Sequence, residues 1–386
     1  MAGLGETVAG LARLRRQRAS DPARPTRARL SEVAEFGPDP GELRMLVHGP
    51  AGLGRRRPLV VVLHGCTQTA EQYAEGAGWI DLADRLGFAL VCPEQRASNN
   101  PNRCFNWFEA GDTRRGQGEA ASIRSMIETA VARFGSDPKQ VFVTGLSAGG
   151  AMASVMLATY PEVFAGGGIV AGLPYGVANG AAQAFAAMFQ DGSTSGPELG
   201  RILRQASSHT GPWPRISVWH GAADTTVKPS NADAIVQQWL EVHGLDAGAS
   251  AKGQAPGHEV WSHGEVVVVE RRLIAGMGHG TPLSSQGPDG VGRAGPFLLE
   301  AGVSSSLELL RFWGVAEQDA AIEVAAIELA AADAVRSPAE APAPAAGPPG
   351  VAEPAWSRLA ATGPANDDQG VGAIINRALR AAGLMK

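Results

Sequence analysis

Cysteine is scarce in this chain: its 386 residues include three, Cys66, Cys92 and Cys104. An odd, low count excludes a disulfide framework, and no Cys or His spacing has the form of a zinc site. Reduced thiols are therefore expected, with a Cys92–Cys104 bridge as the alternative if the protein is exported. Long hydrophobic runs are missing too, and none approaches the roughly 18 residues needed to span a bilayer. So is a strong charge of either sign: a net −5 gives no general affinity for nucleic acid. The opening stretch, "MAGLGETVAGLARLRRQRAS", places its arginines after a weak apolar patch, whereas an export signal places them before a strong one. A cytoplasmic location is the expectation, an extracellular one the alternative.

What is present suits a large buried core, since hydrophobic residues make up 44% of the chain. Residues 1–41 read as an Arg/Pro-rich N-terminal extension. Its arginine cluster, Arg13 to Arg29, offers contact to an anionic surface, although a solvated tail is the simpler account. Residues 315–370 are an Ala/Pro-rich linker with no means of forming a core. Residues 371–386, "VGAIINRALRAAGLMK", carry apolar positions at helical spacing and read as a short C-terminal helix. The domain lies between, at 42–314. There "RPLVVVLHG", "FALVCPEQ", "QVFVTG", "GGGIVAG", "RISVWHG" and "VVVVERRLIAG" read as strands. "AEQYAEGAGWIDLADRLG", "GEAASIRSMIETAVARFG", "AGGAMASVMLATYP", "SNADAIVQQWLEVHG" and "SSLELLRFWG" read as helices. Strands alternating with helices imply an α/β fold, a mainly parallel sheet with helices on both faces.

In such a sheet function collects at the carboxyl ends of strands. Gly145-Leu146-Ser147-Ala148-Gly149 stands at one of them. With 50 glycines in the chain, multiplying residue frequencies gives roughly 0.4 chance matches to Gly-x-Ser-x-Gly, so the pattern alone decides nothing. Its setting, strand then turn then helix, is what a nucleophile elbow requires: the serine occupies a strained turn and small residues must flank it. A serine hydroxyl needs a base to take its proton. Of eight histidines, His279 stands in "IAGMGHGTP", a glycine-rich loop just after a strand. His64 precedes a turn where backbone geometry matters more than a base. His220 ends a strand but precedes the acid, and His258 and His263 sit in polar sequence expected to be loop. Asp224, in "WHGAADTTVKP", is the carboxylate that would fix the imidazole tautomer. Its rival Asp233 should ride on a helix facing solvent. The order Ser147, Asp224, His279 is that expected of an α/β-hydrolase. Oxyanion donors are expected at the backbone N–H of Ala148 and of Cys66 in "LHGCTQT". The Cys66 side chain itself reads as a packed thiol rather than a nucleophile.

Taken together, "LVVVLHGCTQT", "PEQ" with "NPNRCFNWF", "VTGLSAGGAM", "WHGAADTTVKPSNAD", and "GMGHGTP" with "GPFLLEAGVSSSLELLRFWG" resemble the polyhydroxybutyrate depolymerase-type esterase family, relatives of feruloyl and acetylxylan esterases. The resemblance covers about residues 42–314. It implies an α/β-hydrolase fold and carboxylic ester hydrolysis without a cofactor. It places the nucleophile on Ser147, the acid on Asp224, the base on His279 and the oxyanion donors near Cys66 and Ala148. Exported members carry a separate polymer-binding domain, for which the segment after the linker is too small. They also carry cysteine pairs absent here around Pro282 to Val303. Both departures favour small esters or polyester oligomers as substrate.

In that resemblance the loop "NRCFNWFEAGDTRRGQGE" borders the active site. Trp107 stands there either as an apolar wall for substrate or as a residue packing the loop onto the sheet. Leu173 to Trp213 is a candidate cap. The leading expectation is a serine esterase working through an acyl-enzyme. Its rivals are a peptidase or acyltransferase with the same residues and a polyester-granule surface-binding protein held by its termini.

Overall fold

The computed structural model describes residues 29–189, 194–287 and 289–316. The arginine-rich start up to residue 28, most of the Ala/Pro-rich linker and the expected C-terminal helix at 371–386 lie outside the described residues.

A sheet of ten strands forms the centre. In chain order, these are β1 (Ser31–Val33), β2 (Arg44–His48), β3 (Leu59–Leu63), β4 (Ala89–Glu94), β5 (Val141–Leu146), β6 (Gly166–Val170), β7 (Arg215–Gly221), β8 (Ala251–Lys252), β9 (His258–His263) and β10 (Val266–Ile274). They lie side by side as β1-β2-β4-β3-β5-β6-β7-β10-β9-β8. From β4 to β10 the neighbours run parallel, and the pairings of β1 with β2, β2 with β4, β9 with β10 and β8 with β9 are antiparallel. Two further strands, β11 (Thr281–Leu283) and β12 (Leu298–Glu300), form a parallel pair of their own.

Period-two alternation explains the layers. In β3, "LVVVL", Leu59, Val61 and Leu63 point to one face and Val60 and Val62 to the other, and all five are buried. The first face is covered by α3 (Gly118–Phe134), α4 (Ala148–Thr159) and α7 (Ser230–His243). The second is covered by α1 (Ala70–Gly76), α2 (Trp79–Leu86) and α8 (Ser305–Phe312). The remaining helices, α5 (Ala181–Phe189) and α6 (Gly196–Gln205), fall in the segment expected to cap the site.

Three expectations change. The helix expected over "AEQYAEGAGWIDLADRLG" is two helices. Gly78, at φ 80°, separates α1 from α2, and a Cβ there would come within 2.9 Å of the Gly292 N and the Val291 Cβ. "HEVWSH" is strand β9 rather than loop, so His258 and His263 sit in the sheet. Its polar side chains are taken up by partners: His258 Nε2–H donates to Glu270 at 2.7 Å and His263 Nε2 to the His243 carbonyl at 3.0 Å. The sheet also starts earlier than residue 42, because β1 pairs with β2 and Leu30 and Phe36 are buried.

Trp313 ties the second face together, stacking on Phe142 of β5 at 4.7 Å and on Trp79 of α2 at 6.2 Å. Trp79 is 1% exposed. Trp79→Ala is expected to lower the unfolding free energy by about 3–5 kcal/mol, the cost of a large cavity. Urea denaturation of variant and wild type measures it.

Candidate active site

The carboxyl ends of β5, β7 and β10 share one edge of the sheet because these strands are parallel. Ser147 follows β5, Asp224 follows β7 and His279 follows β10. The structure brings all three together. His279 Nε2 is 2.9 Å from Ser147 Oγ, and its Nδ1 is 2.7 Å from Asp224 Oδ2. Asp233, in contrast, rides on α7 and pairs with Arg271.

Ser147 sits at φ 56°, ψ −117°, a backbone state that side-chain-bearing residues rarely adopt. Its N–H donates to the Val170 carbonyl at 2.9 Å and its carbonyl accepts from Ala151 N at 2.8 Å, so the turn is held from β6 and from α4. The flanking glycines are steric necessities. A Cβ on Gly149 would stand 2.3 Å from the Leu63 carbonyl oxygen, and one on Gly145 would stand 2.4 Å from the Gly149 oxygen.

Asp224 is 4% exposed. Burial would raise its pKa, but the His279 charge and hydrogen bonds from His220 and His279 outweigh burial and hold it below the ordinary carboxylate value. Its Oδ1 accepts the N–H groups of Thr226 and Val227 at 2.8 and 2.9 Å. His220, set aside in the sequence, touches the same carboxylate. Its Nε2–H donates to the Val227 carbonyl at 2.8 Å and lies 3.3 Å from Asp224 Oδ2. The only signal for it was its place at a strand end four residues before the acid.

A largely apolar cavity of about 90 Å³ opens at Ser147. Cys66, Ala148 and Trp107 line it, as do Phe185 and Met188 of α5, together with Phe297. Among the described residues, no acceptor takes the N–H of Cys66 or of Ala148. Trp107 is buried in the core and also lines the cavity. The cap expectation is met by α5, which is tied down where Lys228 N donates to the Met188 carbonyl at 2.9 Å and Asn231 Nδ2 to the Ala187 carbonyl at 3.1 Å.

The cysteine expectation is overturned. Cys66 and Cys104 form a disulfide, and Cys92 is the free, buried thiol. Cys92 lies in β4 with its side chain in the core of the second face, out of reach of Cys104. Cys66 and Cys104 lie on facing loops at the cavity wall. The same pair of loops is joined by a hydrogen bond from Thr67 N to the Asn102 carbonyl at 2.7 Å. His64 braces the base of the first loop. Burial lowers its pKa and keeps the ring neutral, so Nδ1–H donates to the Gly65 carbonyl at 2.8 Å while Nε2 accepts from Gln95 N at 3.1 Å.

The second loop is anchored by Glu119 of α3. Its two oxygens accept from Gln95 Nε2 and from Asn106 N. Burial and then the Asp112 charge push its pKa up to about 8, against the pull of those donors.

The family model for esterase PHB depolymerases matches residues 44–260. Poly(3-hydroxyalkanoate) depolymerase C of Paucimonas lemoignei is 44% identical over 291 residues, covering 74% of this chain and 70% of that protein. Feruloyl esterase B of Talaromyces stipitatus is 30% identical over 265 residues, with 66% and 73% covered. Among solved structures, an acetyl xylan esterase from Aspergillus awamori superposes with a TM-score of 0.62 at 25% identity, covering 74% of this chain and 99% of that one. The fold is that of an α/β-hydrolase. No helix of the described residues is long and apolar enough to cross a membrane.

Glu119 makes stability pH-dependent. A carboxyl whose folded pKa is raised contributes stability that is full below its ordinary value near 4.5 and is lost as pH rises through about 8. Glu119→Gln is expected to shrink the fall in unfolding free energy between pH 5 and pH 9 by roughly 3 kcal/mol. Chemical denaturation of both proteins at the two pH values checks this.

Proposed function

The chain belongs to the esterase PHB depolymerase family and is a carboxylic ester hydrolase; from that premise we propose that Ser147 is the nucleophile, His279 the general base and Asp224 the residue that orients the base. The observation carrying this reading is the continuous hydrogen-bonded chain from Ser147 Oγ through both nitrogens of His279 to Asp224 Oδ2. Ser147 Oγ attacks the ester carbonyl carbon as His279 Nε2 takes the hydroxyl proton. The carbonyl oxygen becomes an oxyanion, received by the unspent N–H groups of Cys66 and Ala148 at the start of α4. The oxyanion collapses, the C–O bond to the alcohol breaks, and His279 returns the proton to the departing oxygen. Water then attacks the acyl-enzyme by the same route and releases the acid. No cofactor enters these steps.

The cavity favours a short, neutral acyl group. It is small, and among the described residues its lining carries no ionisable side chain apart from His279. Trp107, Phe185, Met188 and Phe297 supply the apolar walls. A hydroxyalkanoate oligomer or another small ester suits this chemistry. No observation favours the peptidase, acyltransferase or granule-binding readings.

The Cys66–Cys104 disulfide supports an oxidising compartment in place of the cytoplasm. It also gives Cys104 a positioning role, because the bridge fixes the loop that carries the Cys66 N–H.

Two outcomes test the reading. Ser147→Ala should lower kcat on p-nitrophenyl butyrate by roughly 10⁵ to 10⁶; turnover near the wild-type rate in the purified variant would refute it. Cys104→Ser, or reduction of the wild type, should lower kcat by about 10- to 100-fold with KM little changed, since a displaced oxyanion donor costs the transition state rather than the bound ester. Equal kcat before and after reduction, with thiol release verified by mass after alkylation, would remove the positioning role.

A further inference from the structure

The cavity at Ser147 has a neighbour. A second, larger cavity of about 340 Å³ is lined by Thr113, Arg114, Tyr175, Asn179 and Gln205, with Trp107 forming part of its wall as well. Trp107 therefore borders two chambers of opposite character: one small and apolar holding Ser147, the other roomy and polar.

Among the described residues, Arg114 is the only charged side chain lining the second chamber. It is exposed, and among the described residues it makes no ion pair. Its neighbour Arg115 is fully engaged, pairing with Glu162 at 2.6 Å, donating to the Thr159 carbonyl at 2.7 Å and lying over the Tyr160 ring. Tyr175 lines the same chamber. Burial raises the pKa of its phenol and keeps the proton on it, although Arg114 pulls the other way. Among the described residues, the one hydrogen bond of its hydroxyl, to the Thr113 carbonyl, is 3.5 Å long and leaves the hydroxyl available to a better acceptor. Its backbone is fixed on α7: Tyr175 N donates to Gln238 Oε1 at 2.9 Å and Gln238 Nε2 donates to the Tyr175 carbonyl at 3.0 Å. A cation and a phenol donor on a held backbone, with side-chain amides beside them, make a receptor for an anionic oxygen group rather than for a hydrocarbon.

We propose that this chamber binds the free carboxylate of a hydroxyacyl oligomer whose scissile ester lies at Ser147, with the chain crossing Trp107. The carboxylate then belongs to the alcohol-side fragment. Hydrolysis breaks the acyl C–O bond, adds water across it and releases a hydroxy acid that already carries that carboxylate. Such an enzyme works inward from the acid end of soluble oligomers. The inference rests on the assignment of Ser147 given above.

The test compares linear 3-hydroxybutyrate trimer and tetramer as free acids with the same oligomers as methyl esters, which remove the charge and keep the chain. The wild type should favour the free acids in kcat/KM by about tenfold, mostly through KM, the size of one charge-assisted contact at a partly solvated site. Arg114→Gln should bring that ratio close to one, Arg114→Lys should restore part of it, and the wild-type preference should weaken with added salt. Equal rates for acid and ester in the wild type, or a ratio that Arg114→Gln leaves unchanged, would overturn the carboxylate site. A neutral sugar, the competing occupant of a Trp-walled, amide-lined chamber, predicts that equality. Turnover of both oligomers by Ser147→Ala would instead refute the assignment of the nucleophile, so the two failures are separable.

Discussion

The backbone turn at Ser147 is the constraint on which the rest of the site depends. A residue with a side chain is held at φ 56°, a state that costs on the order of 1–3 kcal/mol and persists only where surroundings fix it. Here they do so from several sides. β6 accepts the Ser147 N–H, α4 continues directly from the turn, and α4 packs so closely on the end of β3 that no Cβ fits at Gly149. The strain lifts the hydroxyl out of the sheet edge and aims the first N–H groups of α4 at the same space. The chemistry of position and the packing of glycine on carbonyl are one feature.

Around that turn, the remaining parts are held by polar contacts rather than by packing alone. Asp224 accepts two backbone N–H groups and meets two histidines, which is why a buried carboxylate can stay ionised there. The loop bearing Cys66 is tied to the loop bearing Cys104 by a disulfide and by the Thr67–Asn102 hydrogen bond. That second loop is anchored to α3 through Glu119. The wall of the cavity is thus continuous, through covalent and hydrogen bonds, with the core helix beneath it.

The cavity at Ser147 takes its shape from what covers the sheet edge. Phe185 and Met188 of helix α5 line the cavity at the serine, and Trp107 lines both that cavity and a polar chamber. The apolar cavity and the polar chamber thus share Trp107 as part of their walls.

The sequence by itself determined the sheet, the elbow and the order of the candidate triad. Those are written in local terms: "RPLVVVLHG" is apolar without a break because both its faces are buried, and glycines flank Ser147 because nothing larger fits. The tertiary structure decided everything that depends on distant segments meeting. Cys66 finds Cys104 and not Cys92 because strand β4 turns Cys92 into the core. "HEVWSH" is polar yet forms a strand, because Glu270 on β10 and the His243 carbonyl receive its histidines. His220 reaches Asp224 only because the turn after β7 folds back over it. Trp107 has two cavities to face only because α5 and α6 close over the loop that carries it. Such pairings obey no spacing in the chain. They are fixed by which surfaces the layers bring together, a property of the packed whole and not of any stretch within it.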